Sequence, residues 1–392
     1  MNPSFLDALL LAPDQGAAEA VAATHLAEAL ASRNGGDASA LLRAEGSAAR
    51  DAESAFHLDP TGVATLRTTG QDGSESWCAG RFETPTVGSL ERQLQASQPR
   101  AGGSLKLSVL DGVSPLTDIG WLQASAPEGT LFQVASQFNC LESPGSYVVP
   151  VRDYLHDATQ GPRAAIGAFP AALLRHYFAP GPNGGRFTQV TDGAQVDLLA
   201  SACGPGMAPN GYLTGQQVDD PMVFVDRLEA NASEIRVGVH DEVDVVLGYD
   251  WTGSVRPGAP RIAQVMTSTV AGGEYGARAR FGDDVFERAA GQLLRSAYHG
   301  TLLAAACRGK KWVVLTLIGG GVFGNPTRLI WDSIVWALEQ VEPLMGHDMH
   351  VVVNGRDLSR KVDFDAVVMP EVRRRGGCVC ALDGGGLRTR TQ

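Results

Sequence analysis

The chain has 392 residues with 44% hydrophobic and 19% charged side chains, enough for one large or two ordinary domains with a substantial core, and too apolar for a disordered chain. Its formal net charge of -11 argues against general nucleic-acid binding, because phosphate contacts need clustered Lys and Arg. An anionic ligand would then be held by backbone amides rather than by a basic surface.

The N-terminal segment "MNPSFLDALLLAP" lacks a basic leader region and its apolar run is short, so no signal peptide is expected. The stretch "QGAAEAVAATHLAEALASR" reads as a helix with Val21, Leu26 and Leu30 on one face. "RNGGDAS" ends it and offers Asp37 or Ser39 to cap the next helix. Residues 1–74 are accordingly expected to form a helical N-terminal extension.

From "ESWCAGRFETP" onward the texture changes to short apolar runs separated by Gly and Pro. "SLKLSVLDG", "TLFQVASQFN", "EIRVGVHDEVDVVLG", "PRIAQVMTSTV", "KKWVVLTLIGGG" and "DMHVVVNG" are predicted strands. "DDVFERAAGQLLRSAYHGTLLAAAC" and "TRLIWDSIVWALEQVEPLM" are predicted helices between them. Strands alternating with helices imply an α/β domain with a largely parallel or mixed sheet, here over residues 75–356. The Arg- and Gly-rich residues 357–392 are expected to be a flexible tail.

The six cysteines, Cys78, Cys140, Cys203, Cys307, Cys378 and Cys380, contain no CxxC pair, and the CxC at Cys378 has no further ligands at metal spacing. No metal and no cofactor are expected. No apolar run approaches the roughly 20 residues that span a bilayer. The expectation is a cytoplasmic chain with reduced thiols and no membrane partner.

In "WVVLTLIGGGVFGNPTRLIWDSIV" a predicted strand passes through a glycine loop into a helix. Asn325 is a good N-cap and Pro326 suits the first helical position, which leaves free N–H groups and the helix dipole facing the loop. That arrangement favours a phosphate. The loop is not a Walker A sequence, because no Lys-Ser/Thr follows the glycines, and it is not GxGxxG. A tight turn made for packing alone is the competing reading.

Several segments together resemble the macrodomain superfamily of ADP-ribose binders and hydrolases. "LTLIGGGVFGNP" looks like the loop that wraps the diphosphate, "LFQVASQFNCLES" like the strand carrying the macrodomain asparagine, and "LTDIG" like the Asp-Ile pair at the adenine end. "HDATQGPRAAIGAFPAALLRHYF" and "VGVHDEVDVV" are similar to a divergent branch, the macrodomain-type arginine ADP-ribosylhydrolases, typified by a bacterial effector acting on ADP-ribosylated ubiquitin. The resemblance runs from about Trp77 to Asn354.

It implies a macrodomain-like mixed sheet flanked by helices. It also implies a ligand site built from Asp118, Ile119, Gln137, Asn139, Thr159, Gln160, Gly161, Gly319, Gly320, Gly321, Val322, Phe323, Gly324 and Asn325. The acidic candidates for chemistry at the distal ribose are Asp241, Glu242, Asp244 and Asp250. Alternation along a strand puts His240, Glu242 and Asp244 on one side and Asp241 on the other. Of the aromatic residues near these segments, Phe138, Tyr154, Trp251 and Phe323, the last is the expected wall for a sugar or base, since it lies between glycines.

The expected activity is removal of ADP-ribose from modified protein side chains at arginine N-glycosidic linkages. Its partners would be ADP-ribose or an ADP-ribosylated protein, with the oligomeric state left open. The alternatives are a reader module that binds ADP-ribose without cleaving it, and an α/β interaction protein with no nucleotide site.

Overall fold

Eleven strands form one mixed sheet in the computed structural model, which describes residues 4–32, 37–70, 73–97, 102–157, 159–181, 184–249 and 260–392. The strands are β1 (Phe56–Leu58), β2 (Ala64–Gly70), β3 (Gly73–Glu83), β4 (Leu105–Asp111) and β5 (Leu131–Ala135), followed after a small separate ribbon, β6 (Ala179–Pro180) and β7 (Arg186–Phe187), by β8 (Gly238–Asp244), β9 (Arg261–Thr267), β10 (Trp312–Thr316), β11 (Met349–Arg356), β12 (Val379–Asp383) and β13 (Gly386–Thr391). Their order across the sheet is β1-β2-β3-β8-β9-β5-β10-β11-β4-β12-β13.

The six central strands, β9 to β12 in that order, are parallel, and antiparallel strands flank them on both sides. The expected mixed α/β sheet flanked by helices is what forms. The near-continuous apolar runs Val313–Leu315 and Val351–Val353 suit parallel strands covered on both faces. Alternation distributes them between two layers. Val313, Leu315, Val351 and Val353 pack with Leu90, Leu302, Trp331 and Ile334 of the helices Val87–Ser97, Asp283–Cys307 and Thr327–Val341. Val314 and Val352 face the other layer, with Phe5, Trp121, Phe132 and Phe169. Fully burying one such large side chain contributes about 1.5–3 kcal/mol.

Both ends of the chain differ from expectation. Residues 1–74 are helical only as far as Ala55, and then contribute β1, β2 and the start of β3 to the sheet. On the Gln15–Ser32 helix the fully buried residues are Ala18, Ala22 and Ala29, whereas Leu30 is exposed, because small side chains allow this helix to approach its neighbours closely.

The tail is a folded part of the sheet. Strand β12 pairs with β4 through Val379, Cys380 and Ala381, and β13 folds back on β12. Its arginines are structural: Arg375 is buried against Glu371 and Glu342, and Arg390 donates to the carbonyls of Ala12 (2.6 Å) and Leu10 (2.8 Å), joining the two ends of the chain. Among the described residues no helix is long and apolar enough to cross a membrane.

Candidate ligand site at the strand ends

A cavity of about 460 Å³ opens at the carboxyl ends of β5, β10 and β11. This is the edge of a parallel sheet where ligands bind in α/β proteins, and the volume lies within the range of small-molecule sites.

One wall is the glycine loop that follows β10. The Asn325 N–H donates to Gly319 O at 3.0 Å and the Gly324 N–H to Gly321 O at 2.9 Å, so the segment closes on itself. Gly319 has φ of 71°, and a Cβ there would lie 2.5 Å from both Asn325 Nδ2 and Thr269 Cγ2, so only glycine fits. Among the described residues, the N–H groups of Gly319, Gly321, Val322 and Phe323 have no protein acceptor. A Cβ on Gly321 would meet nothing within 4 Å, so the backbone here is open to close approach.

Asn325 is not the helix cap that its position implied. The helix starts at Thr327 with Pro326 before it, and the Asn325 side chain turns inward, donating to Val270 O (3.1 Å) and Gly319 O (3.3 Å). It is buried and holds the loop from behind; neither it nor Gly324 lines the cavity.

Phe323 packs edge-on against Tyr275, with centroids 5.5 Å apart, and lies 5.8 Å from Tyr212. Tyr212 and Tyr275 lie 4.9 Å apart, and the three rings form an aromatic wall of the cavity. Sequence reading found Phe323 alone, because the tyrosines come from unrelated segments. Phe138 and Tyr154 are buried, and Tyr154 does not line this cavity; Trp251 lies outside the described residues.

After β5 the chain turns through Gln137 and Asn139. The Gln137 amide donates to Ser143 O (2.6 Å) and Tyr212 Oη (3.0 Å), and accepts the Ser143 N–H (3.3 Å). Asn139, expected to face a ligand, is buried outside the cavity lining. Its carbonyl accepts the Leu141 N–H at 3.1 Å and its amide donates to Gln195, so its hydrogen bonds shape the turn.

That turn presents Glu142, which sequence reading missed although it stands three residues after Asn139. Glu142 lines the cavity together with Asp157, and burial and then the Asp157 charge raise its carboxyl well above the ordinary 4.5. A carboxyl raised by burial beside a second carboxyl is an arrangement that general acids use. A smaller adjoining cavity of about 320 Å³ shares Glu142, Pro144 and Asp157, and adds Asp153, Tyr154 and His156.

The third wall joins Ile119, Thr159, Gln160 and Gly161 to Asn354, Arg356, Asp357 and Lys361. Asp118 sits behind it, buried: it caps the Ile119–Ala124 helix by accepting from Gly120 and Trp121, and its other oxygen accepts from Gln160 Nε2 (2.9 Å) and Arg163 Nη1 (2.5 Å). Arg356, half-buried, donates to Thr117 O at 2.9 Å. Two buried acceptors on the cavity wall, Thr316 Oγ1 and Asn354 Oδ1, have no partner among the described residues.

Asp241, Glu242 and Asp244 do not line this cavity. Strand β8 runs against β9, pairing Asp244 with Arg261 at the start of β9, so its last residues lie at the sheet edge opposite the cavity. Asp241 pairs with Lys310 (2.7 Å) and Arg308, while Asp244 accepts from the Cys78 N–H (2.6 Å) and Arg261 (2.8 Å). Glu242 is exposed at a bulge, with φ of 60°; Asp250 lies outside the described residues. His240 is fully buried between Arg175 and Ala79 O, and burial pulls its pKa well below 6.5. No cluster of His, Cys, Asp and Glu among the described residues is placed to hold a metal ion.

No protein-family model matches the chain, and no curated protein does. Among solved structures it is similar to poly(ADP-ribose) glycohydrolase from Thermomonospora curvata: 16% identity, 86% of this chain and 99% of that chain covered, TM-score 0.45. The same enzyme bound to the inhibitor ADP-HPD gives 16% identity, with 80% and 92% covered and a TM-score of 0.42. Poly(ADP-ribose) glycohydrolase from Deinococcus radiodurans in complex with ADP-ribose gives 14% identity, with 75% and 93% covered and a TM-score of 0.43.

Proposed function

We propose that this chain is a glycosidase that releases ADP-ribose from modified protein side chains. The observation that carries the reading is one cavity with an amide-lined glycine loop on one wall and Glu142, its carboxyl raised by burial and by Asp157, on another. The free N–H groups of Gly319, Gly321, Val322 and Phe323 suit a diphosphate, with Arg356 and Lys361 adding positive charge across the cavity. The aromatic wall of Tyr212, Tyr275 and Phe323 suits a sugar face.

Hydrolysis breaks the bond between the anomeric carbon of the distal ribose and the side-chain atom. The hydroxyl of water adds to carbon, and a proton goes to the departing atom. Glu142 supplies that proton, and Asp157 is the second carboxyl, which stabilises developing positive charge or accepts the proton of water.

The arginine linkage remains the preferred substrate, now on different residues. The adjoining acidic cavity of Glu142, Asp153 and Asp157 is suited to a cationic guanidinium. The test is release of ADP-ribose from an arginine-modified protein, with poly(ADP-ribose) as the comparison substrate. Wild type is expected to release it and Glu142→Gln to lose about 100-fold or more in rate. Undiminished turnover by Glu142→Gln rejects the assignment.

The reader module is the second reading, favoured by the absence of the expected acids Asp241 and Asp244 from the cavity. It predicts binding of ADP-ribose without turnover of any linkage.

A further inference from the structure

Asp118, Ile119 and Gln160 form a closed pattern of donors and acceptors at one end of the cavity. The Ile119 N–H donates to Gln160 Oε1 at 2.9 Å, and Gln160 Nε2 donates to Asp118 Oδ2 at 2.9 Å. The partners fix the amide's orientation: reversed, its oxygen would face a carboxylate and its NH2 an N–H. The protein therefore offers, side by side, one backbone donor and one carboxylate acceptor, and a planar amide of its own meets both, with Arg163 Nη1 also donating to that carboxylate oxygen.

An acceptor next to a donor in one plane is also what the N1 and N6 positions of adenine present. Guanine and hypoxanthine carry the acceptor at position 6 and the donor at position 1. To meet the same two groups, either base must turn over, which throws its ribose to the other side. With a diphosphate held in the glycine loop, that reversal is incompatible with a single bound pose.

We infer that the Gln160 amide is an internal stand-in for the Watson–Crick edge of an adenine, seated on Asp118 and Ile119 until a ligand displaces it. The inference rests on the reading of the cavity as an ADP-ribose site. The Ile119 N–H is a single donor, so amide and base cannot both hold it. Gln160 is free to leave: it is the first residue of the Gln160–Ile166 helix, half-buried, and lines the cavity. Arg356 Nη1, 3.5 Å from Gln160 Oε1, gives the displaced amide oxygen another donor. Gln160 thus lowers affinity for any base that enters, while Asp118 and Ile119 themselves select the base that reproduces its pattern.

The test is calorimetric titration of wild type, Gln160→Ala and Gln160→Met with ADP-ribose and with IDP-ribose, which differs from it only in carrying hypoxanthine. Removing the stand-in is expected to tighten ADP-ribose binding by about three- to thirty-fold, the worth of one to two hydrogen bonds no longer broken on entry. IDP-ribose is expected to bind more weakly than ADP-ribose in all three proteins. Gln160→Met keeps length and apolar volume without the amide, so it reports the same effect if the shorter variant folds poorly. Unchanged or weaker ADP-ribose binding in folded variants overturns the inference, as does equal binding of IDP-ribose. Failure of wild type and both variants to bind ADP-ribose at all instead rejects the cavity reading.

Discussion

Gly161 lies directly against Glu142: a Cβ at position 161 would overlap the Glu142 carboxylate. The Gln160–Ile166 helix thus uses a glycine in its first turn to let the carboxyl sit on the cavity wall. Gly161→Ala favours the helix by about 1 kcal/mol in propensity but pushes Glu142 out of place. The expected outcome is a protein that folds, binds ADP-ribose within about threefold of wild type, and releases it from modified arginine about 100-fold more slowly, the cost of misplacing a catalytic group by about 1 Å. Single-turnover rates and calorimetry read the two effects separately. An unaltered rate would falsify the role given to Glu142.

The pH dependence of stability should carry two opposite signatures. A carboxyl whose value is raised in the folded chain holds its proton more tightly there than in the unfolded chain. The contribution of Glu142 is therefore present below its ordinary 4.5 and is lost as pH rises through the raised value. Glu142→Gln stays neutral, so it is expected to melt above wild type near pH 7 and level with it near pH 4. Burial lowers His176, His299 and His350 from 6.5 to about 4 and His240 well below 6.5, so their contribution stands above 6.5 and is lost as pH falls towards 4. Four such histidines outweigh one carboxyl, and wild-type Tm is expected to fall between about pH 7 and pH 5. Scanning calorimetry of both proteins across that range tests the signs. A Glu142→Gln Tm at or below wild type near pH 7 contradicts a raised Glu142 carboxyl.

Asp241 and Asp244 are expected to matter for stability and not for turnover. Asp244→Ala removes the acceptor of the Cys78 N–H and the partner of Arg261, at a cost of about 1–3 kcal/mol because the hydrogen bonds are charge-assisted. Urea unfolding should show that loss, while ADP-ribose release stays within about twofold of wild type. A large drop in rate with intact stability would return the acidic segment to the site.

The contrast between these residues and Glu142 shows what the sequence carries. The glycine loop and the strand before it were legible because apolar runs, glycines and a proline are local signals. The position of Asp241 and Asp244 depends on the direction in which β8 enters the sheet, which no local pattern encodes; an antiparallel entry sends them to the far edge. The aromatic wall was half legible, since Phe323 belongs to the loop whereas Tyr212 and Tyr275 reach it only through the tertiary fold. Asn325 followed capping rules in sequence, but the buried carbonyls of Val270 and Gly319 are stronger claimants for its amide. In the tail, the arginines masked the alternation of Cys378, Cys380 and Leu382, all buried in the finished sheet.

The glycine loop itself can be separated into a binding surface and its support. A Cβ at position 321 meets nothing within 4 Å, so Gly321→Asp is expected to unfold like wild type. It places a carboxylate among the free N–H groups, and like-charge repulsion of a diphosphate should weaken ADP-ribose binding by about 100-fold. Asn325→Ala works from behind: it strips the Val270 and Gly319 carbonyls of a donor, costing about 2 kcal/mol in unfolding, and loosens the loop that Gly319 anchors. Equilibrium unfolding and calorimetry on both variants give the contrast, with stability kept and affinity lost in one, and stability lost in the other. Wild-type affinity in Gly321→Asp would remove the loop from the ligand's path.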